Sequence, residues 1–214
     1  VIGAGRVGAV LGAALRAEGH AITGAYAVSD GSRERAAQLL PGVPLLDVPA
    51  LVERSEMLLL AVPDDQLAAL AAGIAATGMM PGGQLVVHTS GRYGTEVLAP
   101  LARAGSATLA IHPAMTFTGT RTDLARLVGC PMGITAAPEL LPVAAALVVE
   151  LGGEARVLAE GDRTLYHASL AHAANHLVVL VDQAREALTR IGIEDPGAYL
   201  RPLTEAALDE SLRH

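Results

Sequence analysis

"VIGAGRVGAVLGAALRAEG", residues 1–19, decides the fold. Two apolar residues lead into Gly3-Ala4-Gly5-Arg6-Val7-Gly8, and Ala, Val and Leu then recur at helical spacing until Gly19. The pattern is a strand end, a glycine turn and a helix with a glycine stop. In such a turn the first glycine permits the tight bend and the second lets a phosphate approach the backbone. The third lets the helix pack on the strand, and the helix N-terminus meets the negative charge. A strand before the motif and a helix after it point to dinucleotide binding; the alternative is a tight turn whose glycines serve packing alone.

Working outward, "ITGAYAVS" (22–29) reads as a second strand and Asp30 to Leu40 as a second helix. Short apolar runs follow at 57–62 ("MLLLAV"), 84–90 ("QLVVHTS"), 107–113 ("ATLAIHP"), 130–136 ("CPMGITA") and 154–159 ("EARVLA"). Ala/Leu-rich stretches of helical period lie between most of them. This alternation predicts an α/β fold with a doubly wound, mostly parallel sheet. From Arg163 the strand signal ends. One long helical pattern runs to Gly192 and another starts near Pro196. The expected division is a dinucleotide-binding domain over 1–160 and a smaller all-helical domain over 161–214.

The tip of the second strand should read the adenosine ribose. Around Asp30 it offers Ser29, Ser32, Arg33 and Arg35, and hydroxyls with guanidinium suit a 2′-phosphate, so NADP is favoured over NAD. The competing reading has Ser29 or Asp30 capping the next helix and the arginines on a solvated face. Three other strand ends carry polar residues: Pro63-Asp64-Asp65, His88-Thr89-Ser90-Gly91 and His112-Pro113. Asp64 is expected to cap the following helix. Ser90 is either a donor to substrate or a turn serine, and His112 either touches substrate or is a satisfied core histidine.

"HASLAHAANHL" (167–177) sets three histidines and an asparagine in an apolar helix. Ser169, His172, Asn175, His176 and Gln183 share one face, whereas His167 points to the hydrophobic side. A polar stripe on so apolar a helix faces water, a partner or a cleft. His172 is a candidate proton donor and Asn175 a candidate amide for orienting substrate. His172 and His176, at i and i+4, have no acidic third ligand nearby on that face, and no metal is expected.

Composition narrows the field. All 15 positive residues are arginine and lysine is absent, which excludes lysine chemistry. A formal net charge of -7 without a basic run argues against nucleic acid. The uncharged stretch 66–87 is broken by glycines and by Pro81, which argues against a membrane span. One cysteine, Cys130, and no visible signal peptide fit a reducing cytoplasm. With two residues before its first motif and an end inside a helical pattern at His214, the chain is expected to lack elements at both ends.

The segments "VIGAGRVG", "LLLAVPDDQL", "VVHTSG", "IHPAMTF" and "LYHASLAHAANHLVVL" together resemble the Rossmann-like NADP-binding proteins with a C-terminal helical domain of unknown function. These are relatives of pyrroline-5-carboxylate reductase, the deazaflavin-dependent NADP oxidoreductases, ketopantoate reductase and the hydroxyacid dehydrogenases. The resemblance implies a Rossmann-type sheet and NADP held at Gly3, Gly5 and Gly8, with nicotinamide near Pro63, Ser90 and His112. It also implies a homodimer through the helical domain. Arg6, Val7 and Val62 complete the candidate cofactor contacts beside Ser29, Ser32 and Arg33. The leading substrate so implied is ketopantoate, a 2-oxo acid. A cyclic imine of the pyrroline-5-carboxylate type and a non-catalytic scaffold dimer are the alternatives. Where related dehydrogenases place a lysine before an asparagine, this chain has His172 before Asn175.

Overall fold

The computed structural model describes residues 1–213. Its sheet has five strands, β1 (Met57–Leu60), β2 (Leu85–His88), β3 (Ala107–Pro113), β4 (Pro131–Ala136) and β5 (Glu154–Val157), side by side in that order. β1, β2 and β3 are parallel, β4 runs antiparallel to β3, and β5 is parallel to β4. All five coincide with predicted apolar runs. The sheet continues beyond β1 through single bridges: Ile2 pairs in parallel with Leu60 on one side and Tyr26 on the other, and Ala25 pairs with Leu45.

The predicted strand over 22–29 is thus reduced to two bridged residues. Tyr26 donates to the Val1 carbonyl, while its own carbonyl accepts from both Gly3 and Ala4. Pairing stops there because Gly3, at φ +94°, turns the chain out of the sheet.

Helices cover both faces. α1 (Arg6–Ala17) and α7 (Leu141–Glu150) bury Leu11, Leu15, Leu147 and Val148 with Leu59, Val87, Leu109 and Ile111 of the sheet. On the opposite face, α3 (Val48–Arg54), α4 (Asp64–Ala76) and α5 (Ala99–Arg103) bury Leu51, Leu67 and Leu101 with Leu58, Leu60 and Val86. Leu58, Leu59 and Leu60 alternate between the two cores as strand geometry requires. Both sheet faces are therefore dry, which explains strands that read as unbroken apolar runs. α2 (Asp30–Leu39) packs beside α1 over Ala36 and Leu40. One expectation is corrected: Pro63 is the N-cap of α4, and Asp64 sits in its first turn without a capping bond.

The chain divides into two compact units, Val1–His167 and the part from Ala168 onward. α8 (Arg163–Arg190) spans the division, and α9 (Pro196–Arg213) follows a turn at Gly192. These match the predicted helices, except that His214 lies outside the described residues. None of the described residues after Arg163 is buried. No helix among them is long and apolar enough to cross a membrane.

The loop from β3 to α6 (Thr122–Leu127) is organised by Asp123, a carboxylate with no exposure. It accepts from the Thr118 and Gly119 amides at 2.8 Å and from the Thr118 hydroxyl at 3.0 Å. Burial alone would raise its pKa, but these hydrogen bonds favour the anion and hold it below the ordinary value. The stabilisation is therefore present above the unfolded-state pKa and is lost as pH falls through the lower folded one. Asp123→Asn is expected to cost about 1–3 kcal/mol at neutral pH. In urea unfolding curves across the acid range, the wild type should lose this advantage and converge on the variant.

Candidate active site

In an open parallel sheet the ligand crevice lies beyond the carboxyl ends of the strands, where the chain reverses its direction of travel across the sheet. Here that point falls between Ile2 and β1. A side chain at Gly3 would meet the Ala61 carbonyl oxygen at 2.5 Å and Val62 Cγ1 at 3.2 Å, and one at Gly8 would overlap the Gly3 carbonyl oxygen. At Gly5 a side chain would meet nothing within 4 Å. Two glycines are closed by protein and the middle one opens onto space. Gly5 is also the N-cap of α1, which has no side-chain capping bond and no acid in its first turn, so its leading amides are available to an anion. Arg6 is exposed and Val7 partly buried at the start of that helix. Val62 and Pro63 follow β1 past the same turn, Pro63 being exposed. The donor set fits a pyrophosphate.

At the next strand tip, Ser29 is the N-cap of α2 and accepts from the Ser32 amide at 3.2 Å, while the Ser32 hydroxyl donates to the Ser29 carbonyl at 2.7 Å. Arg33 pairs with Asp30 at 2.8 Å on the exposed surface, a bond of small worth. Ser29 thus has the capping role weighed from sequence. The stems of Arg6 and Arg35 meet at Gly119, where an added Cβ would lie 3.1 Å from Arg6 Cγ and 2.8 Å from Arg35 Cδ. α1 and α2 therefore share an arginine corner at Gly119.

The polar ends of β2 and β3 form a histidine cluster. His88 is fully buried; its Nδ1 accepts from the Ser90 amide at 3.1 Å, which leaves Nε2–H to donate to the Gly94 carbonyl at 2.8 Å. Burial, with Arg163 adding, lowers its pKa to about 4. It is a neutral, satisfied core histidine that shapes the loop. Ser90 Oγ accepts from the Arg92 and Tyr93 amides at 3.2 Å, the geometry of a turn serine.

His112 is partly buried on β3, with Nδ1 3.0 Å from the Tyr166 hydroxyl and its ring edge-on to Tyr166 and His167, at 5.5 and 6.2 Å between centroids. Its pKa is lowered to about 4, first by burial and then by Arg163 and His167, so the ring is neutral at pH 7. A Cβ on Gly91 would come within 2.9 Å of His112 Nε2 and 2.7 Å of His167 Nδ1. Only glycine lets both imidazoles close over this backbone.

Beneath them lies Arg163, 1 % exposed. Its guanidinium donates to Thr135 Oγ1 (2.8 Å) and to the carbonyls of Ala110 and Gly133 (3.0 Å each) and Ser90 (3.2 Å). Burial lowers its pKa to about 10, so it stays charged. Burial also raises the Tyr166 phenol, against the pull of Arg163. The sequence reading singled out neither Arg163 nor Tyr166, and it set His167 on the hydrophobic side, whereas the ring stands against Gly91 and His112. The available signal was spacing: residues 163, 166 and 167 share one helix face.

His172 and Asn175 belong to the second unit, and both are exposed. The His172 ring lies 4.1 Å from that of His176, whose Nδ1 donates to the His172 carbonyl at 2.8 Å. The predicted polar stripe of Ser169, His172, Asn175, His176 and Gln183 is exposed along its length.

Comparison with known proteins places this geometry. No curated protein matches the sequence. Among solved structures, a Bacteroides fragilis protein named as an NADP oxidoreductase is similar over 98% of this chain and 78% of its own, at 20% identity and a TM-score of 0.79. An imine reductase from Myxococcus stipitatus in complex with NADP+ is similar over 99% and 74%, at 20% identity and 0.68. A pyrroline-5-carboxylate reductase from Coxiella burnetii is similar over 100% and 78%, at 16% identity and 0.65. Such likeness establishes the fold. The description of the Rossmann-like domain matches residues 1–113, and that of a domain of unknown function (DUF2520) matches residues 130–214. The chain therefore belongs to the Rossmann-like domain family, with DUF2520 as its second part.

Proposed function

We propose that the protein is an NADP-dependent oxidoreductase that reduces the keto group of a small 2-oxo acid, with a ketopantoate-like compound the first candidate. The observation that carries this reading is the glycine turn at the point where the sheet order reverses: Gly3 and Gly8 are packed against protein while Gly5 opens onto empty space beside uncapped helix amides. When bound there, the reduced dinucleotide supplies a hydride. The chain's part is to hold it and to deliver a proton to the oxygen of the reduced group. His112 at the carboxyl end of β3 is the proposed donor, with His172 and its companion amide Asn175 the competing assignment; Ser90 holds the loop between β2 and its turn. The 2-oxo acid is put first because reducing a keto group needs a proton donor, which His112 beside Tyr166 could supply, whereas an imine is already protonated when reduced. The similarity to imine and pyrroline-5-carboxylate reductases keeps the cyclic imine in the test.

The cofactor arm separates binding from folding. Gly5→Ala should leave Tm unchanged and weaken NADPH binding at least tenfold, about 1.4 kcal/mol, by filling the phosphate approach. Gly8→Ala should lower Tm, because its Cβ collides with the Gly3 carbonyl. Arg33→Ala should weaken NADPH and leave NADH unaffected if Arg33 reads the 2′-phosphate. Fluorescence titration and thermal melts check all three.

Turnover is tested by NADPH oxidation with ketopantoate, other 2-oxo acids and pyrroline-5-carboxylate. His112→Asn should lower kcat by about 10²–10⁴-fold with the fold intact. Full activity in that variant, with loss in His172→Ala, would move the proton donor to the helical part. If NADPH binds and no compound turns over, the scaffold reading replaces the enzyme.

The helical part is proposed to form a homodimer. Leu177, Val178, Val179 and Leu180 are 42–68 % exposed on α8, and an apolar run of this kind is covered in a stable protein. Light scattering should give twice the chain mass, and Val178→Asp with Leu180→Asp should give a monomer.

A further inference from the structure

We propose that Tyr166 is the proton reservoir of the reduction, passing its proton through His112 to the substrate, and that buried Arg163 is the counterion for the phenolate left behind. This rests on the reading of the carboxyl edge as a reductase site.

The geometry assigns the direction of the relay. The Tyr166 hydroxyl lies 3.0 Å from His112 Nδ1 and accepts from the Gly133 backbone N–H, so its own proton has His112 as its acceptor among the described residues. If the ring donated from Nδ1, the phenol proton would be left without an acceptor in a partly buried place. The phenol therefore donates and His112 carries its proton on Nε2, the nitrogen that faces the Gly91 backbone at the strand ends. A neutral imidazole cannot surrender that proton alone, because an imidazolate would result. It can do so when Nδ1 takes a proton in the same event, and Tyr166 is positioned to supply it.

Arg163 makes the last step feasible. Among the described residues its hydrogen bonds all go to neutral oxygens, and no carboxylate within ion-pairing distance neutralises it. Glu160, the acid whose charge acts on Arg163, is taken up by the Thr95 hydroxyl and by the Thr95 and Glu96 amides, and acts on Arg163 only from beyond ion-pairing distance. Buried charges are ordinarily paired. A phenolate forming one turn along α8 would provide the missing pair. The other charged or titratable groups that act on His112 are His167, His88 and Asp64.

The step balances. Hydride from the reduced nicotinamide forms the C–H bond and the carbonyl π pair becomes an O–H bond by taking the Nε2 proton. The Tyr166 O–H bond breaks as Nδ1–H forms. The products are the alcohol, oxidised nicotinamide, the other tautomer of His112 and a phenolate that solvent reprotonates.

The test uses the full chain labelled with nitrogen-15 in histidine. Nitrogen–proton correlation spectra at neutral pH, without substrate, should show His112 as the Nε2–H tautomer, and Tyr166→Phe should abolish that preference. The same variant should lower kcat by about 10²-fold with unchanged NADPH affinity and Tm. A purely structural tyrosine would alter Tm and leave the tautomer alone. An Nδ1–H tautomer in the wild type, an unshifted tautomer in Tyr166→Phe, or wild-type kcat in that variant each overturns the relay while NADPH binding stands. Failure of NADPH to bind the wild type overturns the reductase reading and the relay with it.

Discussion

A single buried guanidinium ties the carboxyl edge of the sheet together. Arg163 stands at the first residue of α8 and donates to the loop after β2, to β3 and twice to β4. These four acceptors come from three segments that are far apart in sequence. Taking a charge out of water is costly, and the cost is offset only when each N–H finds an oxygen with good geometry. The network therefore constrains the segments mutually: if one moved, a donor and an acceptor would be left buried and unpaired. The first turn of α8, with Tyr166 and His167, is held against the ends of β2 and β3 by this arrangement. The neutrality of His88 and His112 depends on it too, since burial and the nearby positive charge act in the same direction.

The same edge is shaped at its other end by steric exclusion. Gly3 and Gly8 leave no room for a side chain, and the space is occupied by the backbone and side chains around Ala61 and Val62. β1 and the first helix can approach only because both positions are bare. Gly5 differs in kind, for its surroundings are empty. Gly91 repeats the principle among the histidines, where the absence of a Cβ allows two imidazole nitrogens to converge. One edge of the sheet thus carries an opening suited to a phosphate and, nearby, a cluster of imidazole rings over a buried cation.

The two parts of the chain are stabilised differently. The α/β part buries two leucine-rich cores on either side of one sheet, with Leu58, Leu59 and Leu60 serving both. The helical part buries nothing after Arg163 among the described residues. Its helices still form, because they are long and rich in good helix formers, but a lasting tertiary arrangement needs further apolar contact.

Much of this was legible in the sequence. Apolar runs bounded by glycine and proline located β1 to β5, and unbroken apolar character announced burial on both faces. Helical period located α1, α2, α8 and α9, and the order of glycines in residues 3 to 8 announced the turn, since these signals are local and each rests on the backbone preferences of a few neighbours. The strand over 22–29 was overread: alternation cannot report that Gly3 turns away and takes Tyr26's last acceptor. The capping role of Asp64 was overread as well, because Pro63 occupies the boundary. Arg163 and Tyr166 were invisible as site residues, since an arginine and a tyrosine at the start of a helix ordinarily face solvent. Their burial is decided by the strand ends that fold over them. By itself the sequence determined the elements, the α/β class and the glycine turn. Tertiary structure alone decided which polar residues lie together in a low dielectric, because that depends on contacts between segments 28 to 73 residues apart.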